Sequence, residues 1–196
     1  MTMTTCVTRK LLIIAGAAWS LLSCSPMSEN QNLQAPAEPI EVTLRIMETS
    51  DVHGQLLSHD YFSGASKAQQ GLLATAAVIA TARAEQPLNI LIENGDLIQG
   101  SALADWAQQN FPVARETHPI IAVLNALSYD AANLGNHEFN FGLDYLADTY
   151  RDAQFPVLAS NLHWPTAAPH ELQQRVQSTA WIEREVATPS GSKIPL

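Results

Sequence analysis

The amino-acid sequence predicts an α/β protein built on a largely parallel sheet. Between residues 41 and 160, segments with strand character alternate with segments whose apolar residues repeat at helical spacing, in the order βαβαβαβ. That alternation is typical of parallel sheets, because a helical crossover joins each strand to the next. A group of polar residues also follows each of the first three strands, and open α/β sheets gather their sites at that edge.

Four segments of this region have the character of strands. The first runs over Glu41–Thr49. Its residues Val42, Leu44 and Ile46 alternate with other residues, so they are expected to share one face. The other three strands are short and mainly apolar: Leu88–Ile92, Ala131–Leu134 and Phe155–Ser160. We expect the sheet that they form to be covered on both faces.

Three segments between these strands carry apolar residues at helical spacing. The first helix is predicted over Gly71–Glu85. The second begins near Pro119, a residue that is favoured in the first turn of a helix. The third runs from Leu143 to Tyr150. After residue 162 the sequence is loop-like, until Trp181–Ala187 and a following turn predict a hairpin.

The first 24 residues have the pattern of a bacterial export signal. Arg9 and Lys10 precede an apolar run from Leu11 to Leu22. The run is shorter than the about 20 residues that a membrane-spanning helix needs, and it is typical of a signal-peptide core. The sequence LLSC, which ends at Cys24, resembles a lipobox, in which the cysteine is acylated and anchors the protein to a membrane. The alternative is an ordinary secretion signal, and both readings predict export to the periplasm.

The chain is therefore predicted to have three parts: a signal peptide at 1–24, a flexible polar tether at 25–40 and a folded part at 41–196. Beyond Cys24 there are eight basic residues against 19 acidic ones, hence a net charge of −11. Such an excess of acid argues against binding of nucleic-acid polymers, which takes basic patches. It is compatible with metal sites, whose cations offset carboxylates. Oligomeric state leaves no signature in the sequence.

Three polar clusters would converge at the carboxyl edge of the sheet. Asp51 and His53 follow the first strand, and in extended backbone they would point the same way and reach one cation. Asp96 follows the second strand and offers two oxygens, enough to bridge two cations. Asn136 follows the third strand and offers an amide oxygen. This mixed set suits Mn, Fe, Zn or Co without choosing among them. His137, the residue after Asn136, would point to the substrate side, where it could donate a proton or stabilise phosphate charge.

These clusters resemble the motifs of a known family. ETSDVHG, ENGDLIQGS and LGNHEFNFG, which begin at residues 48, 93 and 134, are similar to the three motifs of the calcineurin-like metallophosphoesterases. From about Leu44 onward the chain resembles the bacterial 5′-nucleotidase group. Within that group it is most similar to the exported 2′,3′-cyclic-nucleotide 2′-phosphodiesterase/3′-nucleotidases.

The resemblance implies a four-layer α/β/β/α sandwich that holds two divalent metal ions. It implies that Asp51 and His53 hold the first ion, that Asp96 holds both and that Asn136 holds the second. His137 would be the catalytic histidine that assists the leaving group. The 5′-nucleotidase branch carries an aspartate three residues after this histidine. Asn140 stands there in this chain, as in the cyclic-phosphodiesterase branch, and favours the latter.

The resemblance also implies a reaction, the hydrolysis of 2′,3′-cyclic nucleotides and 3′-nucleotides for nucleotide scavenging outside the cytoplasm. Members of the family place further metal ligands, mostly histidines, and a nucleoside-binding domain later in the chain. We therefore expect residues 41–196 to be the N-terminal part of a metallophosphoesterase domain, with an incomplete metal shell and little activity. Two alternatives stay open: a 5′-nucleotidase or UDP-sugar hydrolase, and an inactive surface-anchored binding lipoprotein.

Overall fold

The computed structural model describes residues 40–66, 70–111, 116–188 and 191–196. The predicted signal peptide, and the predicted tether up to residue 39, lie outside the described residues. Within the described part of the chain, no helix combines the length and the apolar character that a membrane crossing requires.

The centre of the fold is a five-stranded parallel sheet. Its strands lie in the sheet in the same order as in the chain, and each is parallel to its neighbour. They are β1 (Arg45–Thr49), β2 (Asn89–Glu93), β3 (Ala131–Asn133), β4 (Val157–Leu158) and β5 (Val176–Gln177). The prediction of an α/β protein with a parallel sheet is confirmed. The predicted hairpin is confirmed as well, as a separate antiparallel pair of β6 (Glu185–Ala187) and β7 (Lys193–Pro195).

Five helices and one short 3₁₀ turn connect these strands within the described residues. The helices are α1 (Leu72–Glu85), α2 (Ala102–Asn110), α3 (Pro119–Ala126), α4 (Leu143–Tyr150) and α5 (His170–Arg175), and the 3₁₀ turn spans His137–Phe139. The three predicted helices are confirmed, as α1, α3 and α4. The analysis of the sequence missed α2, although Ser101 gives a local signal for it. The Ser101 hydroxyl caps this helix by accepting a hydrogen bond from the Ala104 amide at 3.2 Å.

One face of the sheet contributes to the hydrophobic core. Met47 on β1 pairs in register with Leu91 on β2, and both are buried. Buried residues of the helices join the same hydrophobic cluster, among them Ile79 of α1, Leu124 of α3 and Leu146 of α4. Burial of these apolar side chains is the main favourable contribution to folding, at about 25 cal/mol per Å² of apolar surface. The core therefore fixes the strands whose carboxyl ends carry the polar clusters.

The first strand is shorter than predicted, and its buried face is the one opposite Ile46. β1 begins only at Arg45, and it buries Met47 and Thr49, whereas Ile46 is 52% exposed. Alternation in a sequence shows that two faces differ, but the packing of helices decides which face is inside. The expected cover on both faces is thus not met at β1. The four-layer sandwich that the resemblance implies would need a second sheet against this open face.

Candidate metal centre

Three neighbouring strands deliver three loops to one edge of the sheet. The loops are loop 1 (residues 50–56) after β1, loop 2 (residues 94–101) after β2 and loop 3 (residues 134–142) after β3. Asp51 and His53 of loop 1 lie beside Asp96 of loop 2. Each of these three side chains offers a ligand atom, and the three atoms all lie within 4.8 Å of one another. The structure thus brings together three of the four predicted ligands as a possible metal site.

Backbone hydrogen bonds join loop 1 to loop 2 and continue the parallel pairing of β1 with β2. The Asp51 amide donates to the Gly95 carbonyl at 3.0 Å, and the His53 amide donates to the Asp96 carbonyl at 3.0 Å. The Gly54 amide donates to the Leu97 carbonyl at 2.6 Å. The relative position of Asp51, His53 and Asp96 is therefore set by main-chain contacts, independently of any bound ion.

Three of the four predicted ligands have a left-handed backbone, not an extended one. Asp51, His53 and Asp96 have φ values of 56°, 51° and 57°, and the only other described non-glycine residue with positive φ is Ser128. Our reason for expecting Asp51 and His53 to point the same way, an extended backbone, was therefore wrong. A tight turn brings them together instead. Left-handed residues other than glycine cost about 1–3 kcal/mol each and cluster at functional sites.

A hydrogen bond fixes the tautomer of His53. Its Nδ1 lies 2.7 Å from the carbonyl oxygen of Gln99. A carbonyl oxygen can only accept, so Nδ1 carries the proton and Nε2 keeps its lone pair. That Nε2 lies 3.9 Å from Oδ1 of Asp51. Histidine ligands of metals usually donate the other ring N–H in this way, which holds the ring in place. The environment of His53 is thus suited to a metal ligand.

Loop 2 and loop 3 approach each other closely at two glycines, Gly95 and Gly135. A Cβ atom added at Gly95, where φ is 93°, would lie 2.4 Å from the Gly135 amide nitrogen. A Cβ atom added at Gly135 would lie 2.3 Å from Oδ1 of Asp96. Both distances are far below a van der Waals contact, so only glycine fits at either position. The two glycines let loop 3 approach Asp96 closely.

Loop 3 carries the predicted ligand Asn136 and the predicted catalytic residue His137. The His137 amide donates to Oδ1 of Asp96 at 2.9 Å, so the backbone beside Asn136 is attached to loop 2. Asn136 itself is exposed. Its role as a ligand, like that of the other three residues, stays a prediction. Glu138, which is completely buried, was not among the predicted site residues.

The His137 ring lies close to the predicted ligands. Its centroid is 5.1 Å from that of the His53 ring, and the two rings meet edge to face at 71°. Nδ2 of Asn140 lies 2.9 Å from Nδ1 of His137. An amide N–H donates, so Nδ1 accepts and the proton of the neutral ring sits on Nε2. Asn140 therefore contacts the His137 ring directly and orients it.

Carboxyl groups are concentrated at the site. Burial raises the pKa of Glu93, at the end of β2, from 4.5 to about 8, against the lowering effect of a hydrogen bond from the Gly95 amide. The carboxylates of Glu138, Asp51 and Asp96 raise this pKa further. Carboxylate oxygens and an imidazole nitrogen form a donor set that binds divalent transition metals. The residues present therefore fit a divalent cation, which would also offset their charge.

Glu93 makes the stability of the metal-free protein depend on pH. The folded state keeps a proton on Glu93 up to about pH 8, whereas the unfolded chain loses it near pH 4.5. This contribution to stability is complete below pH 4.5 and is lost as the pH rises through 8. We expect the melting temperature in EDTA to fall between pH 5 and pH 8.5, and to fall less in Glu93→Gln, which cannot titrate. Circular dichroism melts would test this, and equal slopes for the two proteins would contradict it.

Comparison with known proteins assigns the family. The sequence pattern of the family described as calcineurin-like phosphoesterase matches residues 44–180, a range that contains all three loops. The chain belongs to this family. The resemblance stated from the motifs is thereby confirmed, and with it the α/β fold of the calcineurin-like phosphoesterases.

Relatives of this calcineurin-like phosphoesterase chain have names that refer to nucleotides. It is 41% identical over 147 residues to the trifunctional nucleotide phosphoesterase protein YfkN of Bacillus subtilis (strain 168). This alignment covers 73% of this chain and 10% of YfkN. It is 42% identical over 130 residues to a 2′,3′-cyclic-nucleotide 2′-phosphodiesterase/3′-nucleotidase of Salmonella typhimurium. That alignment covers 66% of this chain and 20% of the Salmonella enzyme. The chain thus spans a tenth to a fifth of the length of these two curated relatives.

A solved structure agrees with the fold. The crystal structure of calcineurin-like phosphoesterase YfkN from Bacillus subtilis superposes with a TM-score of 0.65 at 36% sequence identity. The match covers 78% of this chain and 46% of that one.

Proposed function

We propose that residues 41–196 form the N-terminal part of a metallophosphoesterase domain that hydrolyses 2′,3′-cyclic nucleotides and 3′-nucleotides. The observation that carries this proposal is the meeting of Asp51, His53 and Asp96 within 4.8 Å at the carboxyl edge of the sheet, with the His137 ring beside them. The membership of the family and the names of the two relatives support the choice of substrate.

The proposed site holds two divalent cations. Asp51 and His53 would bind the first, Asn136 the second, and Asp96 both. Although Oδ1 of Asp96 already accepts from the His137 amide, a carboxylate oxygen has a second lone pair, so both oxygens keep capacity for a cation. Bound cations would supply Lewis-acid activation of the phosphate and a more acidic bound water. The metal identity within Mn, Zn, Co and Fe is left open by this donor set.

His137 would act on the leaving ribose oxygen. With Nδ1 occupied by Asn140, the proton of the neutral ring is on Nε2, where it can be donated in a hydrogen bond to an oxygen that gains negative charge. An amide does not hold an imidazolium as a carboxylate does. Asn140 therefore suits a histidine that stabilises charge while remaining neutral, which supports the cyclic-phosphodiesterase branch over the 5′-nucleotidase branch.

The proposal includes a location outside the cytoplasm. The export pattern of residues 1–24 supports the periplasm, and the cysteine of LLSC supports a lipid anchor on Cys24 that would hold the enzyme at the outer membrane. In that location the enzyme would release nucleosides and phosphate for uptake. Mass spectrometry of the purified membrane fraction would test the anchor, because acylation of Cys24 changes the mass of the N-terminal peptide.

Substrate preference tests the proposed activity. We would express the product of the complete coding sequence that contains these residues and assay it with Mn²⁺ or Co²⁺ on 2′,3′-cyclic AMP, 3′-AMP, 5′-AMP and UDP-glucose. We expect kcat/KM for the first two to exceed that for the last two by at least about tenfold, and EDTA to abolish turnover.

Three outcomes would contradict the proposal. A preference for 5′-AMP or UDP-glucose would identify the 5′-nucleotidase or UDP-sugar hydrolase alternative. Absence of turnover on all four substrates, with nucleotide binding detected by calorimetry, would identify the inactive surface-anchored lipoprotein. Hydrolysis that continues in EDTA would contradict the metal-dependent mechanism itself.

A further inference from the structure

The completely buried carboxylate of Glu138 accepts hydrogen bonds from four backbone amides. Oε2 accepts from the amides of Asp96 at 2.9 Å and Gly135 at 2.7 Å. Oε1 accepts from the amides of Leu97 at 2.6 Å and Ile98 at 3.3 Å. Three of these donors belong to loop 2 and one belongs to loop 3. A single side chain of loop 3 thus satisfies a run of consecutive amides in loop 2.

A second bond runs between the same two loops in the opposite direction. The side chain of Asp96, in loop 2, accepts from the backbone amide of His137 in loop 3 at 2.9 Å. The side chain of Glu138, in loop 3, accepts from the backbone amide of Asp96. Each of the two acidic side chains therefore accepts a hydrogen bond from the backbone of the other's loop. This arrangement fixes Asp96 relative to the residue pair Asn136 and His137.

Loop 1 is attached differently. The amides of Asp51, His53 and Gly54 reach loop 2 through main-chain carbonyls, and Glu138 contributes none of these bonds. Asp51 and His53 are thus attached to loop 2 mainly by backbone pairing, whereas the attachment of loop 3 to loop 2 depends on side-chain carboxylates. The two halves of the site have separate supports.

We propose that Glu138 is a positioning residue that sets loop 3 against loop 2, so that Asn136 and His137 stand at a working distance from Asp96. The effect on metal binding rests on the proposed function, because it assumes that Asn136 binds the second cation. The clamp, meaning the attachment of loop 3 to loop 2 through the Glu138 carboxylate, rests on the hydrogen bonds alone. Glu138 contacts neither a cation nor a substrate in this proposal, and it acts through the residues that do.

Glu138→Gln is the variant that tests the clamp. Glutamine has the size of glutamate, but it offers one acceptor oxygen and an NH₂ group that only donates. Both carboxylate oxygens of Glu138 accept from backbone amides. In the variant, the NH₂ group that replaces one oxygen would face backbone N–H groups, and the hydrogen bonds at that position would be lost. Glu93→Gln is the matched control, because Glu93 is also buried but accepts only from Gly95, within its own chain segment.

Hydrogen exchange of the metal-free chain is the first measurement. We expect the amides of Asp96, Leu97 and Gly135 to exchange at least about tenfold faster in Glu138→Gln than in the wild type, and Gly54 to stay unchanged. Glu93→Gln should leave Gly135 at the wild-type rate. Equal rates in Glu138→Gln and wild type would overturn the proposal. The wild type gives a second test that needs no variant to fold, since exchange of Leu97 and Gly135 at unstructured-peptide rates would also overturn it.

Metal titration is the second measurement. Calorimetry of the full-length gene product with Mn²⁺ should show that Glu138→Gln keeps one cation at wild-type affinity and binds the other at least about tenfold more weakly. Weakening of both cations to the same extent would overturn the asymmetric role. Failure of the proposed activity would be seen separately, as wild-type protein that binds Mn²⁺ with both affinities but hydrolyses none of the nucleotides. The exchange result does not depend on that outcome.

Discussion

Asp96→Asn is expected to lower metal-dependent kcat/KM at least about a thousandfold, because it removes the one carboxylate assigned to both cations. The amide that replaces it can still accept from the His137 amide through its oxygen, so loop 3 should stay attached. The change thus removes charge from the site while keeping its shape. Steady-state kinetics with Mn²⁺, together with metal content measured after dialysis, would show the effect.

A matched control separates this effect from a general loss of charge. Asp105 is an exposed aspartate on α2, the helix that follows loop 2. Asp105→Asn removes the same charge from the same region of the chain, and it should leave the kinetics and the metal content unchanged. Wild-type turnover in Asp96→Asn would contradict the bridging role of Asp96, and it would also contradict the central assignment of the site.

His137→Ala is expected to lower kcat by about 10²–10⁴-fold, the usual contribution of a group that assists proton transfer or stabilises charge on a leaving atom. Metal content should stay at the wild-type level, because His137 is not an assigned ligand. KM should change little, since the contribution is made in the transition state. The combination of a low kcat with full metal content is the signature that distinguishes His137 from Asp96.

Two further variants sharpen the role of His137. Asn140→Ala removes the hydrogen bond to Nδ1 of His137 and should give a smaller loss of kcat than His137→Ala, because the ring remains but is no longer oriented. His163→Ala changes an exposed histidine and should have no effect. A loss of metal in His137→Ala would show that His137 is a ligand and would contradict its assignment as the catalytic residue.

The sequence was sufficient to predict four of the five strands of the sheet and three of the five helices in the described residues. Short apolar runs alternated with helical spacing, and this pattern is strong where each element is buried on one side. The pattern failed where elements are very short. The six residues of α5 and the two residues of β5 are too few for a period to be visible. It also failed to choose the buried face of β1, since apolar residues such as Ile46 and Met47 occur on both faces.

The site was predicted in its residue types but only partly in its geometry. The parallel sheet explains why Asp51, His53 and Asp96 meet, since neighbouring strands end at one edge. The left-handed conformations of these residues could not be predicted, because aspartate and histidine, although enriched in that region, adopt it in only a small share of cases. Glu138 was missed for a related reason. Its partners are backbone amides, which every residue other than proline possesses. The sequence therefore contains no partner side chain from which the role of Glu138 could be predicted.

The sequential order of the strands affects how the molecule is assembled. Because each strand pairs with the strand that precedes it in the chain, a polypeptide that emerges amino end first can add one strand at a time to a growing edge. Asp51, His53 and Asp96 are all present once β2 and loop 2 have emerged, before loop 3 does. Loop 3 would dock afterwards, and Glu138 would then complete the hydrogen bonds of the loop 2 amides. Vectorial emergence of the nascent chain would thus build the two halves of the metal centre in succession.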